Sequence, residues 1–398
     1  MSFRSFGAVL LALLIAGCSG LGEKVRVSNT KFGEEALAPY VKSGELPGVI
    51  CVFYSNGIQE NTVLGWASAE EKLPLRMDSM FMQCSQTKAF CGVTVAILVE
   101  EGKISLDDPV SKYLPEFKNL KVAVKDKTGK TTIVPAKNTL TIRMVLNHTG
   151  GFPFEIPTKS KKGWTGLPLR DTAREAASLP LRFEPGTSTT YSNTGIDIAA
   201  AVVEVVSGKP WDVFLKERVL DPLEMHDTTF NPTDEQLKRA MSLYIVNAGK
   251  KAVLRHENPA MPRPYNGPGV YPSAGAGLWT TANDQLKFYK MLMNLGVGEN
   301  NVRILKTETA KALLATNTRP PKKGSYSLGL HVGKDGWFGH GGAWGTSALV
   351  NWQTRQLRLL VVQVNGKRPW TEPWNQASEK FFKASIDSSG DAYTGRTR

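Results

Sequence analysis

The chain has 398 residues, of which 41% are hydrophobic and 21% charged. That is ordinary globular composition with material for a large core, and the length allows two or three domains. No internal repeat or long low-complexity segment is present, which excludes solenoid and repeat architectures, and the formal net charge of +13 favours anionic surroundings.

Residues 1–17 read as a secretory signal outside the fold. Arg4 supplies a basic n-region, and Gly7 to Gly17 form an apolar stretch too short to span a bilayer. The stretch ends in Ile15-Ala16-Gly17-Cys18, which resembles the lipobox of bacterial lipoproteins. That resemblance implies lipidation at Cys18, export, and lipid anchoring to the bacterial cell envelope, on the periplasmic face of an outer membrane or on the cell surface. Ser19 follows where an inner-membrane retention signal would carry aspartate. Residues 18–30 are then a tether. The other reading is a plain cleaved signal with an incidental cysteine. Cys51, Cys84 and Cys91 remain, an odd number for an oxidising compartment, so at least one thiol is free.

Glu34 to Val41 reads as a short amphipathic helix. Val49–Tyr54 and Asn61–Trp66 read as strands around the hairpin signal Asn56-Gly57. Ser85-Gln86-Thr87-Lys88 comes next, followed by a nearly unbroken apolar run from Ala89 to Val99 that reads as a buried helix ending near Gly102. Cys51 and Cys91 fall inside these core elements. Cys84 precedes Ser85, with no histidine nearby in sequence to activate it.

Residues 103 to about 300 are mixed and helix-rich. Ile196–Val206 is apolar and helical, with Gly208 as its stop. Thr281-Ala282-Asn283-Asp284 resembles a capping box that opens a helix to Asn294. Strands are expected at 326–333, 337–340, 345–352 and 356–364, with Asp335-Gly336 as a tight turn. A last helix covers about 373–385, and residues 387–398 read as a disordered tail. The order predicts an α/β fold: an antiparallel sheet flanked by helices, built from residues 31–84 and 300–386, with an inserted mainly helical lobe at about 103–300. A cleft between them is the expected site.

Lysine and arginine cluster at Lys125-Lys127-Lys130, Lys159-Lys161-Lys162 and Arg319-Lys322-Lys323, all in loop-like stretches. They read first as solvated loops, and second as contacts to cell-wall polymer or lipid headgroups. No nucleic-acid module is recognisable.

The chemistry-bearing pattern starts at Ser85. A serine at a helix start lies beside free backbone N–H groups and the positive helix end. Lys88, three residues on, shares its face. Burial would disfavour the ammonium form and leave a neutral amine able to take the serine proton. Tyr191-Ser192-Asn193 supplies a second acid–base candidate in Tyr191 and an amide in Asn193. His340-Gly341-Gly342-Ala343, on a late strand, lets a substrate backbone approach at its glycines. The N–H groups of Ser85 and Ala343 would form an oxyanion hole.

Ser-x-x-Lys, then Tyr-x-Asn, then His-x-Gly is the motif order of the serine β-lactamase and penicillin-binding superfamily. The chain resembles its branch of class C β-lactamases, family VIII esterases and D-amino peptidases. The segments Glu101-Gly102-Lys103-Ile104-Ser105-Leu106-Asp107-Asp108-Pro109-Val110, Leu146-Asn147-His148-Thr149-Gly150-Gly151, Pro222-Leu223-Glu224-Met225 and Ala276-Gly277-Leu278-Trp279-Thr280-Thr281-Ala282 extend the likeness over roughly residues 30–385. It implies a β-lactamase/transpeptidase-like fold and two-step acyl transfer without cofactor or metal. Ser85 would be the nucleophile, with Lys88 and Tyr191 sharing the base and acid roles. Asn193, His340 and Gly342 would bind substrate, and Ser85 with Ala343 would hold the oxyanion.

One departure bears on substrate. Those β-lactamases usually carry Lys-Thr-Gly where this chain has His340-Gly341-Gly342, and a neutral histidine is a poorer carboxylate partner. The expectation is therefore a hydrolase of ester, amide or D-amino peptide substrates. A β-lactamase or penicillin-binding DD-peptidase is the first alternative, and an inactive peptidoglycan-binding module the second. An acyltransferase is also compatible, because water need not be the second acceptor. Trp164, Trp337 and Trp344 read equally as cleft lining and as core, and His148 reads as structural. The chain has no Gly-x-Ser-x-Gly elbow and no His-Glu-x-x-His motif, which disfavours an α/β-hydrolase and a zinc hydrolase.

Overall fold

The structure, a computed structural model, describes residues 26–27, 31–156, 168–246, 253–255, 271–315, 326–333 and 335–387. The signal and Cys18, nearly all of the tether, Trp164, the clusters at 159–162 and 319–323, and the tail beyond Asp387 lie outside those residues.

The main sheet has its strands in the order Arg26–Val27, Ile58–Ser68, Gly48–Ser55, Gln356–Val361, Ser347–Asn351, Trp337–Gly341 and His331–Val332. Every pairing along this path is antiparallel except the first, which is parallel. The chain's two ends meet where Gly48–Ser55 pairs with Gln356–Val361. Gly48–Ser55 is buried throughout, and its side chains alternate between two cores. Val49, Cys51 and Phe53 pack with Leu37, Trp370, Trp374 and Phe381 of the terminal helices. Ile50, Val52 and Tyr54 face the larger core with Phe90, Val93 and Phe288. Helices thus cover both faces. The helix Phe32–Lys42 packs against Thr371–Asp387 on one side, and Ala282–Met293 packs on the strands Ser347–Asn351 and Gln356–Val361 on the other.

The helix Thr87–Glu100 is buried from Thr87 to Leu98 and contacts the helix Asn193–Ser207. An apolar run with no polar face is what a helix enclosed by other elements requires. Phe90 stacks on Phe288 at 3.7 Å between ring centroids and 13° between planes. Among the described residues, no helix is long and apolar enough to cross a membrane.

Three local expectations are corrected. The strand expected over 326–333 is confined to His331–Val332. The chain turns at Ser327–Leu330 because Gly329 adopts φ +81° against the Lys88 carbonyl. The strand expected over 356–364 divides into Gln356–Val361 in the main sheet and Val364–Gly366, which pairs with Tyr244–Val246 in a separate three-stranded sheet. Lys125 ends the strand Lys121–Lys125 of a hairpin with Thr131–Pro135 rather than lying in a loop, whereas Lys127 and Lys130 lie in the turn between these strands.

Candidate active site

Ser85 sits in a single turn of 3-10 helix, Cys84–Gln86, that leads directly into Thr87–Glu100. From Gln83 to Leu98 it is the one residue that is not fully buried. The backbone before it is strained, since Cys84 takes φ +50°, a region costly for a residue with a Cβ. Three buried glutamines hold this turn: Gln285 Nε2 donates to Gln83 Oε1 (3.0 Å) and Gln86 Oε1 (2.7 Å), and Gln86 Nε2 donates to the His340 carbonyl (3.1 Å).

Lys88 is wholly buried, and its Nζ has three oxygen neighbours. It donates to Asn193 Oδ1 (2.6 Å) and to the Gly275 carbonyl (2.6 Å), and it lies 3.2 Å from Ser85 Oγ. A neutral amine has two N–H donors and one lone pair. With both donors fixed on carbonyls, the lone pair is left for the serine hydroxyl. Burial lowers the Lys88 pKa to about 7, against the opposing pull of Asp197 and Glu155. Close to half of the population is then neutral near pH 7, as a general base requires.

Tyr191 is positioned by the chain on either side of it. Thr190 N–H donates to the His148 carbonyl (3.0 Å), and Ser192 N–H donates to His148 Nδ1 (3.3 Å). Ser192 caps the helix Asn193–Ser207 by accepting from Gly195 N–H (3.0 Å), and its hydroxyl donates to the Pro153 carbonyl (2.6 Å). The Tyr191 hydroxyl reaches Ser85, and its ring lies 4.6 Å from Lys88 Nζ. Burial pushes its pKa up to about 12, so Tyr191 is a proton donor at neutral pH. Ser85, Lys88, Tyr191 and Asn193 therefore come together as the sequence suggested.

The third motif is arranged differently from the expectation. His340 and Gly342 are buried rather than open to a substrate, whereas Gly341 and Ala343 are exposed. The Gly342 N–H is committed to the Thr346 carbonyl (2.8 Å). A Cβ there would stand 2.6 Å from the Gln83 carbonyl, so the glycine lets the strand end close on the Ser85 turn. Burial and the neighbouring Lys88 push the His340 pKa well below its usual value, leaving a neutral ring. The Ala343 and Trp344 N–H groups interact with the Cys84 sulfur, so the Ala343 end of the candidate oxyanion hole lies beside residue 84. The Cys84 thiol is pushed up to about 11, chiefly by burial, and supplies no thiolate near neutrality. Trp344 is buried, and Trp337 packs on Phe382 (5.7 Å between centroids) beside the terminal helix. Both belong to packing rather than to the cleft.

Sequence reading missed Asp197, Gly275 and Tyr326. Asp197 is buried one turn beyond Asn193 and accepts from Tyr271 O–H and from Gly275 N–H (3.0 Å). The Gly275 peptide thus joins the carboxylate to Lys88. Burial raises the Asp197 pKa to about 6. Its signal was available: a lone aspartate inside an apolar helical run. Gly275 and Tyr326 carry no such local signal.

The β-lactamase family model matches residues 34–372. The chain belongs to the β-lactamase family. Protein Rv1367c of Mycobacterium tuberculosis is 30% identical over 323 residues, covering 79% of this chain and 77% of that one. An N-acetylmuramyl-L-alanine amidase of Bacillus subtilis is 26% identical, covering 77% and 74%. Esterase EstB of Burkholderia gladioli is 29% identical, covering 62% and 66%. The structure of EstCE1, a hydrolase with promiscuous acyltransferase activity, superimposes with a TM-score of 0.68 at 21% identity, covering 87% of this chain and all of that one. This family member is a serine hydrolase with the β-lactamase/transpeptidase-like fold.

Proposed function

We propose that the protein hydrolyses ester, amide or D-amino peptide substrates through a Ser85 acyl-enzyme. The observation that carries this reading is the Lys88 amine, with both N–H donors on the Asn193 and Gly275 carbonyls and 3.2 Å from Ser85 Oγ. Neutral Lys88 takes the Ser85 proton as Oγ attacks the acyl carbon. The tetrahedral oxyanion forms against the Ser85 and Ala343 N–H groups. Tyr191, a phenol at neutral pH, gives its proton to the leaving group and is reprotonated by the Lys88 ammonium, which resets both groups. Water then attacks the acyl-enzyme, losing its proton to Lys88, while Tyr191 returns a proton to the departing Ser85 Oγ.

The neutral, buried His340 favours acyl compounds without a carboxylate at the third motif, and so places a β-lactamase or DD-peptidase second. The amidase and esterase relatives agree with the reaction class, and the amidase makes peptidoglycan fragments a substrate class to try first. The Ile15-Ala16-Gly17-Cys18 run supports export and a lipid anchor on Cys18.

The test is intact-protein mass spectrometry of the full chain in detergent after fluorophosphonate treatment. One adduct is expected, absent in Ser85→Ala. An adduct that persists in Ser85→Ala, or none on folded wild-type protein, refutes the reading.

A further inference from the structure

Two tyrosine hydroxyls converge on one histidine nitrogen. His340 Nδ1 lies 2.6 Å from the Gly341 carbonyl. A carbonyl only accepts, so Nδ1 carries the proton and neutral Nε2 offers a single lone pair. Tyr326 O–H lies 2.8 Å from Nε2, and Tyr191 O–H lies 3.4 Å from it. Tyr326 is 5% exposed and sits just ahead of the His331–Val332 strand. The His148 ring touches both phenols, with centroids 4.5 Å from Tyr191 and 4.4 Å from Tyr326.

We infer that Tyr326 is a positioning residue for the reaction: by filling the His340 Nε2 lone pair it keeps the Tyr191 proton directed at Ser85 and the leaving group. The inference rests on the proton-donor role of Tyr191 proposed above. Without the Tyr326 hydroxyl, Tyr191 is the remaining phenol in reach of Nε2 among the described residues, and its proton turns toward the ring.

The groups facing His340 are Lys88 from the buried helix, His331 from the adjacent strand, His148 from the loop before the Tyr191 segment, and the two phenols. The three basic groups all oppose a second positive charge. The Tyr326 hydrogen bond opposes it further, because it requires the lone pair that protonation would consume.

The test is Tyr326→Phe, which keeps the ring and removes one oxygen. Expected are a fall in kcat of about tenfold or more with KM within about twofold, using a p-nitrophenyl ester. The His340 Nε2 resonance should shift as the Tyr326 bond at 2.8 Å is exchanged for one from Tyr191, 3.4 Å away in the native site. Side-chain 15N NMR of labelled histidine reads that shift and the Nδ1–H tautomer without needing turnover. Wild-type kcat, or a rate loss without change in the His340 resonances, overturns the inference. Failure of the underlying reading shows separately, as turnover that survives Ser85→Ala.

Discussion

Replacing Asp197 with asparagine keeps the shape of the buried carboxylate and removes its charge. In the native site Asp197 accepts from Gly275 N–H at 3.0 Å, and the Gly275 carbonyl accepts from Lys88 at 2.6 Å. The amide oxygen of asparagine preserves the first of these bonds, so the peptide stays in place. What changes is the field at Lys88, whose pKa of about 7 already includes an upward pull from Asp197. Removing a nearby opposite charge lowers an amine's pKa by about one unit or more, ~1.4 kcal/mol. The acid limb of kcat/KM, which reports conversion of Lys88 to its neutral form, should therefore move from near pH 7 to about pH 6. Activity below neutrality should rise relative to wild type, although a buried carboxylate has been lost. Asp197 itself titrates at about 6, so in the wild type the two groups share the acid limb. The variant should show a single, simpler ionisation. Ester hydrolysis from about pH 5 to 9 measures this directly. A limb that stays put, or moves to higher pH, would show that Lys88 does not act as the neutral base.

Two further outcomes follow from packing. Gly329→Ala places a Cβ at φ +81° and 2.1 Å from the Lys88 carbonyl, so the helix backbone beneath the base must shift. A loss of ~2 kcal/mol or more is expected, with lower kcat; an unchanged melting temperature would contradict the close approach. Cys51, Cys84 and Cys91 are free and buried, and burial is the leading cause that raises each thiol pKa. These three should stay silent to a thiol reagent in native protein and react on unfolding, which a timed colorimetric titration with and without denaturant checks.

The central elements were legible because each had a local cause. The hairpin at Asn56-Gly57, the apolar run after Lys88 and the capped helix at Thr281 follow short-range rules, and the structure places Gly48–Ser55, Thr87–Glu100 and Ala282–Met293 there. Ser85, Lys88, Tyr191 and Asn193 could be paired only through the family motif order, because a sequence separation of 105 between Lys88 and Asn193 fixes no geometry by itself. The misread strands at 326–333 and 356–364 were decided by distant partners. Gly329 turns where it meets the Lys88 carbonyl, and Val364 leaves the main sheet to pair with Tyr244. The burial of His340 was hidden for a similar reason. A histidine on a strand carries no mark of its burial, and the Tyr326 hydroxyl that occupies its lone pair lies in a segment expected to run straight.

The site concentrates in one place what a fold otherwise avoids. An amine and a carboxyl group are both buried, one with its pKa lowered to about 7 and the other with its pKa raised to about 6. Neither is comfortable when charged. Lys88 is held below its unfolded pKa, so its contribution to stability is present above about pH 10 and is lost as pH falls through 7. Asp197 is held above its unfolded pKa, so its contribution is present below about pH 4 and is lost as pH rises through 6. At pH 6–7 both groups therefore weigh against folding, by several kcal/mol together on the scale of such shifts. The surrounding core offsets this: the Phe90–Phe288 stack, the buried alternation of Gly48–Ser55 and the apolar length of Thr87–Glu100. The same enclosure that makes Lys88 expensive makes it a base at neutral pH, because water that would solvate the ammonium is kept out. From Gln83 to Leu98 only Ser85 is not buried, so chemistry is admitted there while Lys88 and Asp197 stay enclosed.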